Sequence, residues 1–171
     1  GKQLSEFTAE RETPTAVSYA PNRQSFACGF DNGTIKIFQL NTSVIAAEVT
    51  HHTTRVTGLL YAHNGSRLLS SDQEGNLSLF DADDHYKLQR TIPKALLPLR
   101  PTIHTVLSIS PDGKHTAYVG PTEYVVTIVE TNTLNQTLRI DVSSCTMTNT
   151  IESALFASFA PNRQLFVATN H

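Results

Sequence analysis

A short element that recurs along the chain is the sequence feature that most constrains its fold. Ala20-Pro21-Asn22-Arg23-Gln24 returns unchanged as Ala160-Pro161-Asn162-Arg163-Gln164, and two looser copies, Ala62-His63-Asn64-Gly65 and Ser110-Pro111-Asp112-Gly113, lie between them. The first residues of the four copies are separated by 42, 48 and 50 residues. A repeat of this length is typical of a unit of four short strands, the blade of a β-propeller.

Each copy is flanked by two predicted strands, and the second strand leads into a tight turn. Short alternating or apolar segments precede the copies at 16–19, 56–61, 105–109 and 155–159, and similar segments follow them at 25–29, 67–71, 116–120 and 165–169. Asp31-Asn32-Gly33 and Asp72-Gln73-Glu74-Gly75 come next in the first two repeats. Turns of this composition supply the positive φ angles that hairpins need.

Two further strands complete each repeat. Alternation with period two at 34–39 predicts a third strand, with counterparts at 76–81 and 124–130, and fourth strands are predicted at 44–49, 86–92 and 136–142. Stacked sheets would bury their apolar sides against one another. We therefore predict an all-β fold, a partial propeller with about three complete four-stranded blades and incomplete blades at both ends.

From the predicted blade boundaries we expect the chain to be a piece of a longer protein. Residues 1–13 are assigned to the outer strand of a preceding blade or to a tail. Residues 14–50, 51–103 and 104–153 are three blades, and 154–171 is the first half of a further one. Because unpaired blade edges promote aggregation, we expect that this segment does not fold stably alone.

Composition narrows the functional classes. Apolar residues make up 39% of the chain and the net charge is −2, which favours a packed core and gives no basic footprint for nucleic acid. No apolar run is long enough for a membrane span, and the polar first twelve residues do not resemble a signal peptide. Cys28 and Cys145 lack paired spacing, so we expect a reduced, intracellular protein without disulfides.

The histidines and clustered acids of the sequence are interpreted as structural residues and not as catalytic or metal-binding ones. The His51-His52 pair is expected to point to opposite faces of a strand, with His52 bonding a neighbouring turn. The acids Asp81, Asp83 and Asp84 are interpreted as a solvated hairpin turn, because the glycine and late glutamate of a calcium loop are missing. Nucleophile-elbow and phosphate-loop motifs are also absent from the sequence. We predict no enzyme activity, cofactor, metal or small-molecule substrate.

One connection between blades is a candidate for binding other proteins. Residues 86–102 carry four basic side chains and no acidic one, in a chain of net charge −2. Three leucines and three prolines lie at 93–101 within this stretch. An apolar, cationic loop of this kind can dock an acidic surface. The candidate partner-binding residues are Lys94, Leu96, Leu97, Leu99 and Arg100. The alternative is that the three leucines cap the core of their own blade.

The third strands resemble those of WD repeats. Gly33 to Gln39 resembles the WD-repeat strand that ends in Trp-Asp, Gly75 to Asp81 is a closer match, and His52 resembles the Gly-His entry into a blade. The resemblance implies structural roles within the blades for His52, Asp31, Gly33, Phe38, Asp72, Gly75, Phe80 and Asp81.

The chain also departs from the WD pattern. Phe38 and Phe80 replace tryptophan, so the family's side-chain network of His, Ser or Thr, Asp and Trp cannot form fully. Asn32 and Glu74 fall where the turn aspartate of the family belongs. We therefore expect the blades to be held mainly by packing and by backbone ladders.

A narrower resemblance extends over most of the chain. The stretches at 27–33, 119–124, 126–128, 138–143, 153–155 and 159–161 are similar, in the same order, to centriolar and ciliary WD-repeat proteins. That family carries a microtubule-binding module ahead of tandem propellers and acts as a scaffold in centrioles and cilia. The module has no counterpart here. The resemblance implies a non-enzymatic cytoskeletal scaffold at the centriole, basal body or axoneme, with centriolar or axonemal proteins and microtubules as partners in the wider assembly.

Two other classes stay open. The first is a WD-repeat adaptor of another cytoplasmic complex, for example a ubiquitin ligase or a trafficking complex. The second, which the sequence favours less, is a propeller enzyme. Its mark would be histidines and carboxylates that converge in the central funnel.

Overall fold

The computed structural model of the chain describes residues 12–42, 44–96, 107–120, 125–141, 153–162 and 164–170. These residues form fourteen strands and no helix, which confirms the predicted all-β class. The strands are β1 (Pro14–Tyr19), β2 (Ser25–Phe30), β3 (Thr34–Gln39), β4 (Ile45–Thr50), β5 (Val56–Tyr61), β6 (Arg67–Asp72), β7 (Leu77–Asp81), β8 (Lys87–Ile92), β9 (Ser108–Ile109), β10 (His115–Val119), β11 (Val125–Glu130), β12 (Gln136–Asp141), β13 (Ser153–Phe159) and β14 (Leu165–Asn170).

The strands are organised into four antiparallel sheets that follow the chain. Sheet 1 has the order β1-β2-β3-β4, sheet 2 the order β5-β6-β7-β8 and sheet 3 the order β9-β10-β11-β12. Sheet 4 consists of β13 and β14. Each connection joins neighbouring strands, as in a meander, so three sheets repeat one topology.

Most strands agree with their predicted positions to within one or two residues. The main difference is the first strand of sheet 3, which is predicted at 105–109 and observed as Ser108–Ile109. Its predicted beginning falls in 101–106, outside the described residues. The same holds for nearly all of the predicted outer strand at 1–13, and for His104, Cys145 and His171.

The turns between the second and third strands of sheets 1 and 2 have the geometry that their glycines predict. Gly33 and Gly75 have φ angles of 88° and 84°. The N–H of Gly33 donates to Phe30 O at 3.2 Å, and that of Gly75 to Asp72 O at 3.0 Å. Because residues other than glycine rarely adopt this conformation, the two glycines fix where β3 and β7 begin.

Successive sheets pack face to face, and the core lies between them. A first cluster joins Ala27, Ile35 and Ile37 of sheet 1 to Leu59, Tyr61, Leu68 and Phe80 of sheet 2. A second joins Leu69, Leu77 and Leu79 of sheet 2 to Tyr118 and Val129 of sheet 3. A third joins Ala117, Val126 and Ile128 of sheet 3 to Phe159 and Leu165 of sheet 4. Sheets 2 and 3 each contribute to two of these junctions, so their third strands, β7 and β11, are buried along most of their length on both faces.

Candidate functional site

A buried network of polar side chains surrounds His52. The Nδ1 atom of His52 lies 3.1 Å from Asp72 Oδ2, and its Nε2 atom lies 2.6 Å from Ser70 Oγ. Ser70 and Asp72 are both on β6, two residues apart, so their side chains lie on one face of the strand. His52 reaches them from the connection between β4 and β5. The network therefore ties the entry of sheet 2 to its second strand.

Asp72 also organises the turn that follows it. Its Oδ1 atom accepts hydrogen bonds from the N–H groups of Glu74 and Asn76, at 3.0 and 2.9 Å. Its Oδ2 atom accepts a third, from Asn76 Nδ2 at 2.8 Å. The acid that bonds His52 is thus Asp72, and the placement of the turn aspartate at Glu74 is wrong for this blade. The rest of the family network, His with Ser and Asp, does form.

The protonation of the network follows from its partners. A carboxylate accepts only, so the proton of the neutral imidazole is assigned to Nδ1, and Nε2 then accepts from the Ser70 hydroxyl. Burial lowers the pKa of His52 below its ordinary value, and the neighbouring Asp72 partly opposes this shift. Every polar atom of the imidazole has a partner when the ring is neutral.

The connectivity Ser70–His52–Asp72 is that of a nucleophilic triad, but its position gives it a structural role. All three residues are buried, and the Ser70 side chain has no exposed surface. A nucleophile must reach a substrate carbonyl to within bonding distance. Here the hydroxyl lies beneath the junction of sheets 1 and 2, so the arrangement can join a loop to a strand and cannot attack a bound substrate.

His51 occupies a different place from the predicted one. The His51 and His52 rings lie 5.2 Å apart, and His51 also packs edge-on against Phe80 at 5.6 Å. The expectation that the two side chains point to opposite faces is wrong, because the pair precedes β5 and does not follow strand alternation. The Nε2 atom of His51 lies 3.1 Å from Thr91 Oγ1. Among the described residues, no group of three or more His, Cys, Asp or Glu side chains could hold a metal ion.

The remaining predicted structural positions lie in turns, in buried clusters or at the end of a strand. Phe80 is buried in the cluster between sheets 1 and 2, and Phe38 is buried and stacks on Phe26 at 5.2 Å. Asp81 forms an ion pair with Arg67 at 2.8 Å. Asp31 is exposed, and its pKa is lowered mainly by the hydrogen bond from the Thr13 N–H.

At Gly33 the backbone that leads into sheet 2 lies close against the turn of sheet 1. A Cβ atom placed on Gly33 would lie 2.3 Å from His52 O and 2.9 Å from Thr54 O. The loop that carries His52 therefore passes directly over this turn. The sequence predicted the glycine from its turn, but not that the next blade rests on it.

The candidate partner-binding loop is described only in its first part. Lys94 is exposed, and its N–H donates to Asn76 Oδ1 at 3.1 Å. Leu96 is buried in the cluster between sheets 2 and 3, and its N–H donates to Gly75 O at 2.9 Å. For Leu96 the structure therefore shows the alternative interpretation, a leucine that caps the core. Leu97, Leu99 and Arg100 lie outside the described residues.

Sequence reasoning missed contacts that join sheets through polar side chains. Arg90 on β8 donates to Thr133 O at 2.7 Å and to Asn135 Oδ1 at 2.6 Å, in a turn of sheet 3. The Ser18 hydroxyl accepts from the Tyr61 N–H at 3.1 Å, and the Ser108 hydroxyl accepts from the Phe159 N–H at 2.9 Å. The sequence signal that could have indicated the two serine contacts is their spacing, because Ser18 and Ser108 both lie two residues before a repeat copy.

Sheets of this topology, stacked in chain order, define a WD-type β-propeller. The solved β-propeller domain of Cps50 (Swd1) from Myceliophteria thermophila matches 93% of this chain with a TM-score of 0.68, at 17% identity. The match covers 48% of that domain, and this confirms the predicted partial propeller. None of the described residues belongs to a helix that could cross a membrane.

The comparison with protein families is more specific. The model of the family described as the second β-propeller of WDR90/POC16 matches residues 1–171, and the chain belongs to this family. WD repeat-containing protein 90 of Xenopus tropicalis is 37% identical over 99% of the chain, which spans 9% of that relative's length. Centriole proteome protein 16 of Chlamydomonas reinhardtii is 32% identical over 39% of the chain, or 3% of its own length. The predicted resemblance to centriolar WD-repeat proteins is thereby confirmed at the level of the family.

Proposed function

We propose that this chain is part of a non-enzymatic scaffold of the centriole, acting within a larger WD-repeat protein associated with microtubules. The observation that carries the proposal is the family match over the whole chain. The name of the Chlamydomonas relative, a centriole proteome protein, supports the location. In this proposal, partners are centriolar or axonemal proteins, with microtubules reached through the wider assembly in centrioles or cilia.

The stacked sheets suit a scaffold for a physical reason. Sheets 1, 2 and 3 bury most of their third strands on both faces, so the turns at the ends of these sheets are held at fixed separations. Several loops on such a frame can contact several partners at once, and linked contacts raise the overall affinity without strengthening any one of them. The Ser70–His52–Asp72 triad is buried, and it therefore contributes to the frame.

Within this frame we propose the loop that begins at Lys94 as a partner-binding element. The Lys94 side chain is exposed, while Ala95 and Leu96 are buried against sheet 3 and anchor the start of the loop. Lys94 and Arg100 supply positive charge that an acidic protein surface would complement. Arg90, by contrast, is already engaged with Thr133 and Asn135 of sheet 3.

The test uses the tagged full-length protein in cells with centrioles. We expect it to localise at centrioles and to co-purify tubulin and inner centriolar proteins. The double variant Lys94→Glu and Arg100→Glu should lose part of these partners, whereas Lys114→Glu, at an exposed turn between β9 and β10, should keep them. Recovery of ubiquitin-ligase or trafficking subunits in place of centriolar proteins would favour the adaptor. Equal recovery with both variants would overturn the loop proposal alone.

A further inference from the structure

The side chain of Asn76 joins the His52 network to the start of the candidate partner-binding loop. Its Nδ2 atom donates to Asp72 Oδ2 at 2.8 Å, and its Oδ1 atom accepts from the Lys94 N–H at 3.1 Å. Asp72 Oδ2 is also the atom that lies 3.1 Å from His52 Nδ1. One amide group therefore connects the buried histidine, through its aspartate, to the backbone of an exposed lysine in the loop.

An amide is the side-chain group that suits this position. The Asp72 carboxylate only accepts, so it needs a donor, whereas the Lys94 N–H needs an acceptor. Asparagine offers the two on separate atoms, and these partners fix the orientation of its amide. In sheet 1 the residue after the turn glycine is Thr34, whose short side chain carries one polar atom. The bridging amide is therefore specific to sheet 2 in this comparison and is not imposed by the repeat.

Lys94 needs support because its backbone is strained. Its φ angle is 51°, in the left-handed region that side chains other than glycine and asparagine rarely adopt. A residue in this region persists only when its surroundings hold it there. The turn after β6 does so from both sides, because Asn76 Oδ1 accepts from the Lys94 N–H and Gly75 O accepts from the Leu96 N–H at 2.9 Å.

The strained residue lies where a long connection leaves the core. Ala95 and Leu96 are buried, and a Cβ atom placed on Gly120 of sheet 3 would lie 2.6 Å from both Ala95 O and Leu96 Cα. The connection between β8 and β9 covers 93–107, whereas that between β4 and β5 covers only 51–55. A longer connection loses more backbone freedom when it is fixed, so an anchor at its start lowers the entropy cost of binding.

We propose that Asn76 is a positioning residue for partner binding. By bridging Asp72 and the Lys94 N–H, it holds Lys94 in its left-handed conformation and sets the direction in which the loop meets its partner. The inference rests on the proposed function of this loop. It deepens that function, because binding then depends on a side chain of the turn after β6 as well as on the charges of the loop itself.

The first test is Asn76→Thr, which gives sheet 2 the residue that sheet 1 carries at this position, so the turn can form without the bridge. Amide-resolved hydrogen exchange of the purified full-length protein should show the Lys94 amide exchanging about tenfold faster, with rates in β6 and β7 changed less than about twofold. An unchanged rate at Lys94 would overturn the proposal. An equal increase in β6 and β7 would also overturn it, because Asn76 would then support the whole sheet.

Asn64→Thr is the matched control. Asn64 is also an exposed turn asparagine whose Oδ1 atom accepts from a backbone N–H, that of Ser66 at 3.1 Å. Its turn joins β5 to β6 and so lies at the opposite end of β6 from Asn76. This variant should leave the exchange rate of the Lys94 amide unchanged, and an increase equal to that of Asn76→Thr would contradict the specific link.

Recovery of centriolar partners by the tagged full-length protein separates this inference from the function on which it rests. Asn76→Thr should recover fewer of them, as should the double variant Lys94→Glu and Arg100→Glu, whereas Asn64→Thr should recover them all. Normal recovery with Asn76→Thr but not with the double variant would overturn the positioning role alone. Normal recovery with both would overturn the binding role of the loop as well.

Discussion

Sheets 1 and 2 have the same topology and register, yet they place different chemistry at matching positions. Ser70 and Asp72 on β6 correspond to Cys28 and Phe30 on β2. In sheet 2 these positions hold the hydrogen-bonded network with His52. In sheet 1, Cys28 and Phe30 form an apolar cluster with Phe38, and burial raises the pKa of the Cys28 thiol.

The comparison shows that the repeat specifies the backbone and leaves the interior chemistry free to vary. Backbone ladders and inter-sheet packing are common to both sheets, whereas the polar network is present in one. A buried polar network stabilises only when every member has a partner, and an apolar replacement of the whole set can serve equally well. Sheet 2 should therefore be far more sensitive than sheet 1 to the loss of one side chain at these positions.

The largest expected effect is that of Asp72→Ala. This change leaves the His52 Nδ1–H and three donors of Glu74 and Asn76 without their acceptor. We expect a loss of about 3 kcal/mol in the opening free energy of β6 and β7. Native-state hydrogen exchange in the full-length protein measures it.

The matched control is Asp31→Ala, which removes an exposed turn acid bonded to the Thr13 N–H. Its cost should stay below about 1 kcal/mol. Equal losses in the two variants would mean that turn acids contribute alike in both sheets, against the comparison.

Gly33→Ala should be the next most damaging change, and it probes the contact between the two sheets. Alanine at φ +88° is strained, and its Cβ would lie 2.3 Å from His52 O, so the His52 loop must move. We expect a loss of about 2 kcal/mol. Hydrogen exchange should increase in both β3 and β5.

Gly65→Ala separates strain from collision. Its φ is +75°, but the nearest atom to the added Cβ is Pro21 Cδ at 3.5 Å. Only the backbone strain remains, so the cost should be about 1 kcal/mol. If Gly33→Ala and Gly65→Ala lowered the stability equally, the close approach of the His52 loop would add nothing to the cost of Gly33→Ala.

The sequence predicts the strand positions of this fold well, but it does not predict which side chains meet in space. The repeat spacing and the turn glycines placed nearly all described strands, because hairpin geometry is local. Whether Asp72 or Glu74 bonds His52 is not local, since β6 must continue to Asp72 for its side chain to share a face with Ser70. The burial of Leu96 could not be predicted from the sequence either, because a leucine in a loop packs inward or outward according to its neighbours in space.

The hydrogen-exchange protection of sheets 1 and 2 should also depend differently on pH. The folded pKa of His52 is below its ordinary value of 6.5, so the unfolded form binds more protons as the pH falls below 6.5. The contribution of His52 is present above this value and is lost on acidification toward its folded pKa. Protection of β6 should fall, and this fall should disappear in His52→Asn.

Sheet 1 serves as the internal reference for that measurement. The hydrogen bond with Lys36 lowers the pKa of Glu12 below 4.5, so its contribution is lost only at still lower pH. Between pH 6.5 and 4.5, protection of β2 should therefore stay constant while that of β6 falls. A parallel fall in both strands would show that His52 is not its source.

The smallest effect should come from Lys36→Met, which removes the charged group of the sheet 1 interior. Lys36 forms an ion pair with Glu12 and lies over the Phe30 ring, 5.4 Å from its centre. Because partly exposed ion pairs contribute little and methionine can remain on the ring, we expect a loss of at most about 1 kcal/mol in the opening of β3, measured by hydrogen exchange. Lys114→Met, at an exposed turn, should change nothing. A loss equal to that of Asp72→Ala would mean that sheet 1 also depends on a polar contact, and the apolar packing of Cys28, Phe30 and Phe38 would then not be a substitute for the His52 network.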